Sequence, residues 1–159
     1  LDTMTKVLID NRSTNRKIHF FVIEYGGEDR IYDGYHQDVF LKGALSYIKD
    51  TGIFKKETDA IFIMVTKVDK MKPVTRDAIT QYVKDNYLGF YNVLDKICRD
   101  NEINGKKVEI LAFSLGKVCF QNYCKFDPKP AENVVNIMLD HSASNRGGKS
   151  GFISKILRG

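Results

Sequence analysis

The sequence predicts an α/β chain: a three-layer sandwich built on a short parallel sheet of about three strands, flanked by helices. Two observations carry this. Apolar runs of strand length recur three times, at Lys17 to Tyr25, Asp59 to Asp69 and Lys107 to Val118. Segments with apolar residues at helical spacing lie between and after them. Strands that alternate with helices form parallel sheets through right-handed crossovers, with helices on both faces. With three strands, the order across the sheet is expected to follow the chain.

Each element has its own warrant. Leu1, Met4, Val7 and Leu8 recur at helical spacing, so the first residues read as the end of a helix, and Asn11 to Asn15 as a polar break. The first strand, through Phe20, Phe21, Val22 and Ile23, ends at the turn signal Gly26-Gly27, and a polar loop runs on to about Gly34. From Tyr35 to Asp50 the pattern is helical: Phe40, Ala44, Tyr47 and Ile48 share a face, with Leu41 and Leu45 beside it, and Gly52 supplies a C-terminal stop. The second strand is the most apolar and bears the marks of a strand covered on both faces. Thr75 to about Asn101 reads as one long helix. Thr75 is its N-cap, with Val74 stapling onto Ile79. Its apolar stripe runs from Ile79 through Tyr82, Val83, Tyr87, Phe90 and Leu94 to Cys98, and Gly89 within it marks close packing. Asn104-Gly105 is a turn before the third strand. Pro128 and Pro130 precede a last helix carrying Val134, Val135, Met138 and Leu139. Ser142 to Gly151 reads as linker, so the predicted organisation is a domain over residues 1–141 and a flexible basic tail over 142–159.

Composition narrows the class. A chain of 159 residues with 43% hydrophobic and 28% charged residues has enough material for one real core. No apolar run approaches the ~20 residues of a membrane helix, and no secretory signal pattern stands at the start. The three Cys lack the even count and spacing of a disulfide framework, and no fourth clustered ligand makes a zinc site with them. They are read as reduced thiols of a cytoplasmic protein. The net charge of +5 is spread among acidic residues without a basic-aromatic stripe, so nucleic acid is not an expected partner. The one basic amphipathic stretch is the tail, with Arg146, Lys149, Lys155 and Arg158 among Phe152, Ile153, Ile156 and Leu157. No catalytic set stands out. Ser114 has no Asp or His partner pattern, and His19, His36 and His141 sit in unrelated contexts.

Two strand ends carry chemistry. The second strand runs into Thr66-Lys67-Val68-Asp69, and the third into Ser114-Leu115-Gly116-Lys117. Carboxyl ends of parallel strands are where open α/β sheets bind ligands. A carboxylate there accepts two parallel donors at once, and guanine offers such a pair where adenine does not. Thr66 to Asp69 resembles the Asn/Thr-Lys-x-Asp base-recognition motif of P-loop GTPases of the Ras-like, translation-factor-related class. Ser114 to Lys117 resembles their Ser-Ala-Lys loop, with Leu115 in place of Ala and the Lys one residue later. The resemblance covers the second, base-recognition half of that fold, from about Lys17 to Leu139. It is closer still to bacterial GTPase-like proteins of unknown role with a Ser-x-Gly-Lys-Val strand and a following Phe-Asp turn, here Ser114 to Val118 and Phe126-Asp127.

The resemblance implies half of a P-loop NTPase fold. It implies that Asp69 recognises guanine, that the Lys67 stem stacks on the purine, and that the Ser114-Leu115 backbone touches the ring oxygen. GTP or GDP is the implied ligand of a longer protein. Mg²⁺ is not supported by this chain, because no Gly-x-x-x-x-Gly-Lys-Ser/Thr precedes the first strand to cradle phosphates. No activity is therefore expected from the chain by itself. Glu24-Tyr25-Gly26-Gly27 faintly resembles the Asp-x-x-Gly of switch II, but family topology inserts a further strand and helix before the base motif. Glu24 is accordingly read as structural or solvent-facing. Ala143 to Ser150 resembles a Walker loop with Ala for the first Gly, as a circularly permuted GTPase would have, although the residues before it read as helix and not strand.

Two other readings stay open. One is a non-enzymatic interaction or assembly module derived from the same fold. The other is an unrelated small α/β protein such as a flavodoxin-like signalling domain. The first strand has no Lys or Pro among Phe20 to Ile23 to protect an edge. Self-association through Ile18 to Tyr25 is therefore expected, unless Leu1 to Leu8 cover it; any other protein partner is unspecified.

Overall fold

A computed structural model of the chain describes residues 15–50, 52, 54, 57–118 and 124–144. The expectations for Leu1 to Leu8 and for the tail after Ser144 lie outside the described residues. The chain divides into two compact units, Leu1–Phe113 and Ser114–Gly159.

The first unit is built on three parallel strands, β1 (Lys17–Glu24), β4 (Thr58–Thr66) and β5 (Glu109–Phe113), in the order β1-β4-β5. The α/β class, the parallel pairing and the chain-order sheet are those expected. β4 is central and pairs along its whole length with β1, from Ile18 opposite Ala60 to Glu24 opposite Thr66. Its residues from Ala60 to Val65 are all buried, which is why its sequence is continuously apolar and does not alternate. Ile61, Ile63 and Val65 face the main core. On the opposite face Phe62 stacks on Phe20 with ring centroids 5.3 Å apart.

Three helices complete the core: α1 (Gln37–Asp50), α2 (Arg76–Asn86) and α3 (Leu88–Asp100). They contribute Leu45, Ile79, Val83, Phe90, Leu94, Ile97 and Cys98 to it. Thr75 caps α2 as expected, its Oγ1 accepting the Ala78 N–H at 3.2 Å. Gly52, at φ +71°, donates its N–H to Lys49 O at 3.0 Å and ends α1 as expected. The Asn104-Gly105 turn is also present and does more than reverse the chain. The Asn104 amide accepts from Ile61 N at 3.3 Å and donates to Ile61 O at 2.5 Å. It thereby serves the groups of β4 just before β5 begins opposite Phe62.

The long helix expected from Thr75 to Asn101 is two helices. The chain leaves helical geometry at Tyr87 (φ −133°, ψ 33°). The cause is a side chain from elsewhere. Asp38, in the first turn of α1, accepts the Phe90 N–H at 2.8 Å and so takes a donor that a continuous helix would give to a carbonyl. Gly89 makes the approach feasible, since a Cβ there would stand 2.8 Å from Asp38 Oδ2. The close packing expected at Gly89 is thus real.

Two short hairpins were not anticipated. The segment before α1 folds as β2 (Ile31–Tyr32) against β3 (Tyr35–His36), so α1 starts at Gln37 and not at Tyr35. The turn is Asp33-Gly34, both at positive φ, a sequence suited to a two-residue hairpin. The strand expected to run to Val118 stops at Phe113. The second unit then forms β6 (Gly116–Val118), antiparallel to β7 (Cys124–Phe126). Asp127 Oδ1 accepts the Lys129 N–H at 3.1 Å at the start of α4 (Lys129–Ser144). α4 continues three residues into the segment read as linker.

Candidate functional site

The site begins where β1 and β4 end side by side. Glu24 and Thr66 are register partners. Thr66 Oγ1 donates to Ile23 O at 3.1 Å, and Tyr25 N–H donates to Thr66 O at 3.0 Å, so the two strand ends are tied together. Beyond Thr66 the chain turns at Lys67, which adopts left-handed geometry (φ 57°, ψ 29°) uncommon for a residue with a side chain. A single 3₁₀ turn, Val68–Lys70, follows. It is closed by Lys70 N–H to Lys67 O at 3.1 Å and Met71 N–H to Val68 O at 2.9 Å. Val68 and Met71 are buried in the core and anchor the turn. Asp69 lies between them, half-buried.

The Lys67 ammonium pairs with Glu24 Oε1, and Arg30 Nη2 lies 2.9 Å from Glu24 Oε2. Each carboxylate oxygen of Glu24 thus has its own cation. The hydrogen bond from Lys67, with the charges of Arg30, Lys67 and Lys70, holds the Glu24 carboxyl below the usual range, so it is ionised at neutral pH. Glu24 was expected to be structural or solvent-facing. It is structural, the hub that joins β1, the loop after it and the Thr-Lys-Val-Asp turn. Nothing in the spacing of Glu24 and Lys67, 43 residues apart, could have revealed this; the parallel register creates it.

Tyr82, read from sequence as one more residue of an apolar stripe, organises the loop after β1. Its hydroxyl oxygen accepts the Gly26 N–H at 3.0 Å. Its proton is within reach of Glu28 Oε2 at 2.6 Å and of Glu24 O at 3.0 Å. Burial, reinforced by the Glu28 hydrogen bond, pushes the phenol well above its ordinary range, so it stays neutral. Tyr25 packs on the Tyr82 ring at 4.8 Å, and Tyr82 on Tyr87 at 5.9 Å.

Of the expected site residues, Thr66, Lys67 and Asp69 come together at the carboxyl end of the central strand. Ser114, Leu115, Gly116 and Lys117 open the second unit. There Ser114 Oγ accepts the Gly116 N–H at 3.3 Å, Leu115 O accepts the Asp127 N–H at 3.1 Å, and Gly116 takes φ +99°. Lys117 is in β6. Comparison with protein-family models, with curated proteins and with solved structures finds no match to this chain. Among the described residues, no group of three or more His, Cys, Asp or Glu could hold a metal ion. No helix among them is long and apolar enough to cross a membrane.

Proposed function

We propose that the chain is a guanine-recognising module of the GTPase-like kind, inactive by itself. The observation that carries the reading is the position of Thr66-Lys67-Val68-Asp69, in a core-anchored turn at the carboxyl end of the central parallel strand. That is the position open α/β sheets use for ligands. The Asp69 carboxylate is the acceptor group proposed for the paired donors of guanine, and Lys67 offers an aliphatic stem to the face of the ring. Ser114, Leu115, Gly116 and Lys117 keep the second-motif role that the resemblance implies, and the reading does not rest on them. GTP or GDP is the ligand proposed for a longer protein that supplies phosphate contacts. The proposed setting is the cytoplasm, in keeping with Cys98 as a free thiol.

The test is an NMR titration of the chain with guanosine and, separately, adenosine. Guanosine is expected to shift the amides of Thr66 to Lys70, and adenosine at the same concentration to leave them in place. Asp69→Asn should abolish the difference, because an amide puts an NH₂ donor group where one of the two acceptors is needed. Equal responses to the two nucleosides, or an Asp69→Asn chain that still discriminates, would sink the reading.

A second reading, an assembly module, is favoured by β1. Among the described residues β1 pairs only with β4 and so stands at the sheet edge, and Val22 is 57% exposed there. Phe21, by contrast, packs against the core, so Val22 is the residue to change. Light scattering across a concentration series is expected to show a dimer or soluble oligomer that Val22→Lys reduces to monomer. A monomer at every concentration would exclude this route.

A further inference from the structure

We propose that Glu24 is a positioning residue for Lys67: it tethers the ammonium so that the lysine stem stands ready as a platform for the face of a planar base. The inference rests on the base-recognition reading above and adds to it a residue from another strand.

Four observations point this way. The backbone at both ends of the pair is fixed, by Tyr25 N–H on Thr66 O and by Thr66 Oγ1 on Ile23 O. Lys67 holds a left-handed backbone, so the root of its side chain is set by a committed turn and not by a loose loop. The far end is set by Glu24 Oε1. Glu24 is itself held: Arg30 occupies Oε2 at 2.9 Å, and the Glu24 carbonyl lies 3.0 Å from the Tyr82 hydroxyl. A lysine stem anchored at root and tip presents its methylenes in one arrangement. An untethered stem must lose rotamer freedom when a base stacks on it, and affinity falls accordingly. The Lys67 side chain is 49% exposed and that of Glu24 21%, so the pair does little for folding. Its consequence belongs to binding.

The experiment compares the full chain, Glu24→Gln, Lys67→Met and the double variant by NMR titration with guanosine, with urea unfolding of each. Glu24→Gln is expected to weaken guanosine binding about fivefold and to leave the urea midpoint in place. Lys67→Met keeps an apolar stem without an ammonium, so in its background Glu24→Gln should cost nothing more. Equal or tighter binding by Glu24→Gln, with guanosine still preferred to adenosine, overturns the positioning role and leaves the reading of Asp69 standing. Independent, additive losses in the double variant overturn it too. An unaltered chain that fails to discriminate the two nucleosides overturns both.

Discussion

Phe90→Ala is expected to destabilise the chain by about 3–5 kcal/mol, the usual range for emptying a well-packed aromatic site. Phe90 is fully buried near the start of α3. Its ring meets Phe21 of β1 edge-to-face at 5.8 Å, so the truncation removes a helix-to-sheet contact and leaves a hole between two elements. The hole has little means of closing. The backbone of Phe90 is held by Asp38 through its N–H, and at Gly89 an added Cβ would already stand 2.8 Å from Asp38 Oδ2. Stability for a domain of this size is about 5–15 kcal/mol, so the variant would lose a large part of it. Leu88→Ala, two residues away but 52% exposed, is the control and should stay within ~0.5 kcal/mol. Urea unfolding of both variants decides. A Phe90→Ala cost near that of Leu88→Ala would show that the packing at this helix junction is looser than described.

The junction also shows what the sequence could and could not reveal. The strands were legible because β4 is buried on both faces and its run of Ile, Phe, Met and Val has no polar interruption from Ala60 to Val65. Thr75 was legible as a cap because capping is a local event, complete within four residues. The break at Tyr87 was not legible. The apolar stripe continues through it without Gly or Pro at position 87, and its cause, Asp38, lies in another helix. The Asp33-Gly34 hairpin had its turn signal in plain view, but two-residue strands carry too little alternation to set against the helical pattern that follows. The site divides in the same way. Thr66, Lys67 and Asp69 are contiguous and could be read from the chain. Glu24, Arg30 and Tyr82 join them only through parallel register and helix packing, which no spacing rule encodes.

Stability is expected to fall by about 2 kcal/mol between pH 6.5 and pH 5, and His19 is the cause. Its ring lies against Phe54 with centroids 5.2 Å apart. Its buried Nε2 has no hydrogen-bond partner among the described residues. Burial first, and the charge of Lys17 second, push its pKa down to about 4, from an ordinary value near 6.5. The native imidazole is therefore neutral throughout this window, whereas the unfolded chain takes up a proton. Because the unfolded state binds more protons, acid favours it. The full stability is present above about pH 6.5, declines as pH falls, and the loss levels off near pH 4 at roughly 3 kcal/mol. Glu24 does not interfere, because its largely exposed ion pair contributes little to folding, and what it contributes is lost only as pH falls through its folded pKa, below the ordinary value of 4.5. The interval from pH 6.5 to pH 5 thus isolates the histidine. His19→Phe is expected to flatten the profile there. Urea unfolding at half-unit pH intervals measures this, with the imidazole Cε1 proton of His19 followed by NMR as the direct check. An imidazole that titrates near 6.5 in the folded chain, or a His19→Phe profile as steep as the parent's above pH 5, would show that the strand-end environment of His19 is wetter than its burial implies.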